Sequence, residues 1–115
     1  MVGREITTFF GHANVFGTLE PIDFQLQRQS TMVSPWTAWL QKASRAGGLV
    51  SLNHPVRPLG EMCMGCAWQP GADLRSVQAI EVVNGPDADT SYSGIPLWRS
   101  LLNDGLRLTA IGGSD

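Results

Sequence analysis

The sequence predicts an α/β fold in which a mostly parallel sheet is covered by helices. From Pro35 onward, helical and strand patterns alternate in the order helix, strand, loop, strand, helix, strand. Glycine separates each helical pattern from the apolar strand after it, as expected for helices that lead back into a sheet. The 115 residues, 43% of them hydrophobic, have the size of one domain and can bury a core, so we treat residues 1–115 as one domain.

Two strand patterns open the chain. Residues 2–10 are rich in β-branched and aromatic side chains, and residues 12–19 continue in the same style after Gly11. The short gap between them fits a hairpin and equally fits two consecutive strands of a barrel. Both arrangements stay open at this point.

The first helix is predicted to begin at Pro35, with Ser34 as its N-cap. Gly47-Gly48 ends it, and one face carries apolar side chains at helical spacing: Trp36, Trp39, Leu40 and Ala43. The apolar run Leu49–Asn53 predicts a buried strand directly after this helix. His54-Pro55 then follows the end of that strand.

A long loop separates this strand from the next. Residues 55–73 form the longest irregular stretch, and long loops in compact domains are often functional. Residues 79–83 predict the next strand, which closes in the turn-like sequence Asn84-Gly85-Pro86. These features place polar residues beyond the ends of two strands.

The second helix is predicted from Pro96 to Gly105, with Leu97, Trp98, Leu101 and Leu102 on one side. Residues 106–111 predict the last strand. That strand ends in Gly112-Gly113-Ser114-Asp115, so a carboxylate follows it as His54 follows the earlier one.

Composition excludes several classes of function. Eight basic and ten acidic residues give a net charge of −2, with no basic stripe that would indicate nucleic-acid binding. No apolar stretch is long enough to span a membrane, and the N-terminus lacks the basic-then-apolar order of a signal peptide. The cellular compartment is not indicated.

Four residues are of types that bind divalent transition metals: Glu5, His12, His54 and Asp115. Taken singly, Glu5 fits a solvent-facing strand residue, His12 a turn residue, and Asp115 equally a helix cap. His54 favours a functional role, because the residue before proline is held extended and its imidazole would then point outward. Strand ends are also where α/β sheets carry their chemistry.

Three further residues are candidates for substrate contacts. Arg57 lies near His54 and would suit a substrate phosphate, although a surface arginine is the plainer interpretation. Asn84 would suit a hydrogen bond to a ligand, although Asn-Gly is also a common tight turn. Trp68, in the long loop, is a candidate for lining a substrate pocket.

Cys63 and Cys66 form one C-x-x-C pair, which fits a redox pair, half of a zinc site or chance. A Cys₂His₂ zinc site would require both histidines of the chain, His12 and His54. Such a site would leave no histidine for catalysis.

Five short segments follow one another in a specific order along nearly the whole chain. They are Gly3-Arg4-Glu5-Ile6-Thr7-Thr8, Gly11-His12-Ala13-Asn14, Ser51-Leu52-Asn53-His54-Pro55, Ile80-Glu81-Val82-Val83-Asn84-Gly85 and Gly113-Ser114-Asp115. Together they resemble the PHP (polymerase and histidinol phosphatase) superfamily of metal-dependent phosphoesterases. The residues of these segments are most similar to those of the branch that includes carbaryl-hydrolase-like metallohydrolases.

The resemblance implies a distorted seven-stranded β/α barrel with two or three divalent ions (zinc, manganese or iron) at the strand C-termini. Glu5 resembles the family's metal-bridging glutamate, and His12 and His54 resemble the histidines that share one ion with it. Asp115 resembles the aspartate of the closing Gly-Ser-Asp-x-His motif. The implied reaction is hydrolysis of a phosphate ester, or of a carboxylic or carbamic ester, by metal-activated water.

The family's opening His-x-His is absent from this chain, which also stops before the last histidine of the closing motif. The resemblance therefore implies part of the barrel, truncated at both ends. We expect a hydrolase as the full-length parent, little activity in this fragment, and aggregation through unpaired strand edges. The alternative is a non-catalytic, PHP-derived structural or interaction module.

Overall fold

The computed structural model describes residues 3–8, 10–19, 21–22, 35–68 and 72–114. These residues form one five-stranded sheet and two α-helices. In chain order the elements are β1 (Gly3–Thr8), β2 (Gly11–Phe16), α1 (Pro35–Arg45), β3 (Leu49–Asn53), β4 (Ala79–Asn84), α2 (Ile95–Asn103) and β5 (Thr109–Gly113). Two short 3₁₀ turns, Leu74–Ser76 and Asp87–Asp89, flank β4.

The strands lie side by side in the order β1-β2-β3-β4-β5. β1 pairs antiparallel with β2, and β2 antiparallel with β3, so the two opening strands form a hairpin. β3, β4 and β5 run parallel, as the alternation of helices and strands predicts. The sheet is therefore mixed, with two antiparallel and two parallel pairings, and the predicted mostly parallel sheet is wrong.

The predicted seven-stranded barrel is wrong for the part of the chain that the structure describes. The sheet there has five strands in an open order. The connection from β1 to β2 is too short to hold a crossover helix, so these strands pair antiparallel instead of continuing a parallel β/α series. The mixed sheet follows from that tight hairpin.

Side-chain alternation gives the sheet one apolar face. Seven buried residues form it: Ile6, Ala13, Val15, Val50, Leu52, Ile80 and Val82. Trp36, Trp39 and Leu40 of α1 belong to the same core cluster. The opposite face is polar, because the strand register places Glu5, His12, Asn14, Ser51, Asn53 and Glu81 on it. Because α1 packs on the apolar face, the candidate site lies on the polar face.

Glycines determine where the helices give way to strands. After α2, Gly105 has a φ of 89°, and the Leu106 N–H donates to the Leu101 carbonyl at 3.1 Å. The Trp98 indole N–H donates to the Leu108 carbonyl at 2.9 Å. Leu106 and Leu108 are therefore hydrogen-bonded back to α2, which ends at Asn103, and β5 begins at Thr109, later than predicted. The predicted N-cap of α1, Ser34, lies outside the described residues.

The long loop after β3 returns to the domain through Asp73. Its N–H donates to Thr37 Oγ1 of α1 at 2.8 Å, and its carboxylate caps the turn Leu74–Ser76. The side-chain hydrogen bonds from Arg75 lower the pKa of Asp73 from 3.8 to about 2.

Neither α1 nor α2, the helices in the described part of the chain, is long and apolar enough to cross a membrane.

Candidate metal centre

The two histidines meet at one edge of the sheet. Because β2 runs antiparallel to β3, the start of β2 lies beside the end of β3, and His12 pairs with Asn53. His54 is the next residue. The two imidazole rings lie 5.0 Å apart in an edge-to-face arrangement, and both side chains are buried. The hairpin therefore brings together side chains that are 42 positions apart in the sequence.

Glu5 joins this pair from the neighbouring strand. The register pairs Thr7 with His12, so Glu5 is the diagonal neighbour of His12 on the same face. Its Oε1 atom lies 3.4 Å from His12 Nδ1, and the side chain is partly exposed. The structure thus places Glu5 beside His12 and His12 beside His54, which connects three of the four predicted ligands. Asp115 lies outside the described residues.

The other nitrogen of His12 is held by the long loop. His12 Nε2 lies 2.9 Å from the carbonyl oxygen of Met64. Both ring nitrogens therefore face oxygen atoms that accept hydrogen bonds, but a neutral imidazole has only one N–H. In a neutral ring, the nitrogen without a hydrogen would point its lone pair at an oxygen atom. A cation bound between that nitrogen and that oxygen would remove the repulsion.

The cysteines of the long loop lie against the same histidines. Cys66 is buried, and its Sγ atom lies 3.2 Å from His54 Nδ1. Cys63 and Cys66 are joined in a disulfide. One ligand atom from each of His12, His54, Cys63 and Cys66 lies within 4.8 Å of the other three. These four side chains form a group that could bind a metal ion, although two of its donors are joined to each other in the form described.

Glu81 is a buried carboxylate at this edge to which sequence reasoning assigned no role. Its Oε2 atom accepts the His54 backbone N–H at 2.6 Å and the Asn84 side-chain N–H at 3.3 Å. Its Oε1 atom occupies the space that a Cβ atom on Gly113 would need. An acidic residue within the apolar run of residues 79–83 was the available signal, because carboxylates are rarely buried without partners.

The backbone of His54 differs from the expectation. Its φ is 27°, in the left-handed region, and is not the extended conformation predicted for a residue before proline. A turn accounts for the difference, because the His54 carbonyl accepts the Arg57 N–H at 3.1 Å while Glu81 holds the His54 N–H. Such conformations cost roughly 1–3 kcal/mol and tend to occur at functional sites.

The predicted substrate contacts are engaged within the chain. Arg57 Nη2 lies 3.4 Å from Asp87 Oδ2, and the buried Asn84 amide donates to Glu81. Trp68 packs on Trp36, with ring centroids 4.6 Å apart, and also fills the space beside Gly11. All three side chains lie near the site and help to build its surroundings.

One buried oxygen at the site has no hydrogen-bond partner in the described part of the chain. Asn53, opposite His12 in the sheet, is 5% exposed, and its Oδ1 atom makes no hydrogen bond to any described residue. Leaving a buried acceptor unpaired costs about 1–3 kcal/mol. An unpaired acceptor beside two histidines is typical of a position that a bound molecule or ion completes.

Comparison with known proteins adds no assignment. No protein-family model, curated protein or solved structure matches this chain. The function is therefore argued from the site itself.

Proposed function

We propose that this domain is a metal-dependent hydrolase of the phosphoesterase type in which Glu5, His12 and His54 hold one divalent ion. The observation that carries the proposal is the 3.4 Å separation of Glu5 Oε1 from His12 Nδ1. Two ligand atoms on a tetrahedral zinc ion lie about 3.3 Å apart, given metal–ligand bonds of about 2.0–2.1 Å. The spacing fits a shared ion.

The hydrogen bonds of the site support this choice of atoms. The contact between His12 Nε2 and the Met64 carbonyl accounts for the one N–H of a neutral imidazole. The lone pair on Nδ1 then faces Glu5, where an ion would sit between nitrogen and oxygen. A histidine fixed by a backbone carbonyl on its far nitrogen is the usual second-shell arrangement in metal sites.

Glu81 supports the third ligand without contacting the ion in this proposal. By accepting the His54 N–H, it holds the left-handed backbone turn that places the imidazole beside His12. Asn84 donates to the same carboxylate and keeps it oriented. The site is therefore held in position by β4 as well as by the strands that carry its ligands.

Nitrogen and carboxylate donors without thiolate suit zinc, manganese or iron. Such an ion supplies a Lewis acid for a phosphoryl or carbonyl oxygen and an activated water as nucleophile. Glu5, His12 and His54 would orient the centre, with both histidines buried and the Glu5 side chain partly exposed. The PHP resemblance adds Asp115 as a fourth ligand and a second or third ion, and it adds phosphate, carboxylic or carbamic esters as substrates.

Metal binding and hydrolysis test the proposal together. We expect the oxidised protein to bind Zn²⁺ or Mn²⁺, and expect His12→Ala, His54→Ala and Glu5→Gln to weaken binding by at least about 100-fold, more than the loss of an outer-shell partner. Hydrolysis of p-nitrophenyl phosphate and p-nitrophenyl acetate should fall in the same variants. Glu61→Gln, the same change at an exposed loop position, is the control. Unchanged metal binding in Glu5→Gln would contradict the assignment.

One observation favours a second function, a non-catalytic structural module. If Cys63 and Cys66 bind together with both histidines, the four protein donors fill a tetrahedral site and leave no position for water or substrate. Zinc bound by the reduced protein with no hydrolysis in either redox state would support this alternative.

A further inference from the structure

We propose that the Cys63–Cys66 pair is a redox switch on the metal centre. In the reduced form, both thiolates join His12 and His54 around one zinc ion. In the oxidised form, the two sulfur atoms are bonded to each other and no longer coordinate the ion. The histidines and Glu5 then bind it. This inference rests on the proposed assignment of His12 and His54 to one ion.

The four donors already lie close to the arrangement that zinc requires. Ligand atoms around a tetrahedral zinc ion are separated by roughly 3.3–3.8 Å, depending on whether they are nitrogen or sulfur. Cys66 Sγ lies 3.2 Å from His54 Nδ1, and the four donors lie within 4.8 Å of one another. The largest change needed is between the sulfur atoms, which must separate from a bond of about 2.05 Å to about 3.8 Å.

The loop is built so that this change needs little backbone movement. Gly60 and Cys63 exchange two backbone hydrogen bonds, of 3.2 and 3.1 Å, which fix the start of the C-x-x-C segment. The Trp68 N–H donates to the Pro55 carbonyl at 3.1 Å and fixes its far side. Cys66 is buried against His54, whereas Cys63 is only partly buried, so Cys63 is the side chain that we expect to move when the disulfide opens.

The redox step balances with an ordinary thiol partner. Two electrons and two protons from a dithiol reductant convert the disulfide to two thiols, and the reductant becomes a disulfide. When zinc binds, each thiol transfers its proton to the solvent and coordinates as thiolate. A disulfide oxidant reverses the sequence, accepting two electrons as the Cys63–Cys66 bond forms again.

The two states differ in what they allow at the ion. Four protein ligands close the coordination sphere, as in structural zinc sites, whereas catalytic sites keep one position open. The switch would therefore hold the reduced domain in a closed, structural form. The oxidised domain would carry the open form, which suits hydrolysis of a phosphate or carboxylic ester.

Titration of the protein with Co²⁺ and Zn²⁺ in both redox states tests the switch. We expect the reduced protein to show a thiolate-to-cobalt charge-transfer band that the oxidised protein lacks. We also expect the reduced protein to bind Zn²⁺ at least about 100-fold more tightly than the oxidised protein. Losing even an outer-shell partner of a metal site lowers the affinity about 10–100-fold. A Cys63→Ser/Cys66→Ser variant should lose the dependence on redox state. Met62→Ser, a fully exposed neighbour, should keep it.

The outcomes separate this inference from the proposed function. Equal zinc affinity in both redox states, with no thiolate band, would overturn the switch. If His54→Ala still weakened that binding, the proposed metal site would survive. If His54→Ala left zinc binding of the reduced protein unchanged, the cysteines would bind without His54, and the switch would fail. Unchanged zinc binding in the oxidised His54→Ala protein would instead overturn the proposed metal site. Circular dichroism of each form checks that the comparison is made on folded protein.

Discussion

The residue that organises the candidate site is Glu81, although it is not among its proposed ligands. A buried carboxylate is stable only when its oxygens are satisfied, and here a backbone N–H and a side-chain amide donate to it. One of those donors belongs to His54, whose backbone occupies a left-handed conformation. Folding of β4 thereby sets the position of a histidine carried by the end of β3.

Replacing Glu81 should therefore affect both stability and metal binding. In Glu81→Ala, the buried His54 N–H loses its acceptor, and we expect the free energy of unfolding to fall by about 1–3 kcal/mol. Zinc affinity should fall by about 10–100-fold, as for other outer-shell partners. Urea denaturation and zinc titration measure the two effects.

Two further variants distinguish a positioning role from general destabilisation. Glu81→Gln keeps an oxygen that can accept the His54 N–H, so it should restore much of the zinc affinity. Asp89→Ala removes an exposed carboxylate from the neighbouring 3₁₀ turn and should leave both quantities nearly unchanged. Equal zinc affinity in Glu81→Ala and the parent protein would show that Glu81 does not position His54.

At the scale of elements, the contact between β4 and β5 depends on a glycine. Gly113 lies where any side chain would overlap the Glu81 carboxylate, whereas a Cβ atom on Gly112 would make only an ordinary 3.8 Å contact with the Val83 carbonyl. The two glycines are adjacent in β5. They therefore provide a matched pair for testing how closely the strands must approach.

Gly113→Ala should displace Glu81 and lower the free energy of unfolding by about 1–3 kcal/mol, the usual range for overpacking. Gly112→Ala should change it by no more than about 0.5 kcal/mol. Thermal or urea unfolding of the two variants provides the measurement. A similar loss in both would indicate that β5 resists substitution generally, and would remove the argument for contact with Glu81.

The elements were largely predictable from the sequence because they depend on local patterns. Apolar periodicity and glycine stops predicted both helices and all five strands, and the parallel orientation of β3, β4 and β5 followed from the alternation. The pairing of β1 with β2 was left open, since both arrangements fit a short gap. The barrel was a wrong inference from the resemblance, because that hairpin makes the sheet mixed.

The site was less predictable, because its geometry depends on contacts between distant residues. Glu5, His12 and His54 could be named as metal-ligand types, but the cross-strand register that joins them is a property of the folded sheet. The approach of Cys66 to His54 depends on how the long loop folds back. The partners of Glu81 lie on three segments, and no local pattern reports such a contact.

At the scale of the whole molecule, the described sheet has two outer strands, and they differ in charge. β1 carries Arg4 and Glu5, whereas β5, with the sequence Thr-Ala-Ile-Gly-Gly, carries no charged residue. Charged side chains on an outer strand oppose pairing with a second molecule, and an uncharged outer strand leaves that pairing open. β5 is therefore the strand through which we expect self-association.

A lysine on β5 should weaken this association. Thr109 is exposed, and its backbone N–H bonds inward to the Gln78 carbonyl at 2.8 Å, so Thr109→Lys adds a charge while keeping the sheet intact. Because pairing would bury part of the lysine, we expect dimerisation to weaken about fivefold, the effect of about 1 kcal/mol. Sedimentation velocity over a range of protein concentrations measures it. Ser100→Lys adds the same charge on the exposed side of α2 and should not alter association. If both variants weakened it equally, the effect would not be specific to β5, and β5 would not be the contact.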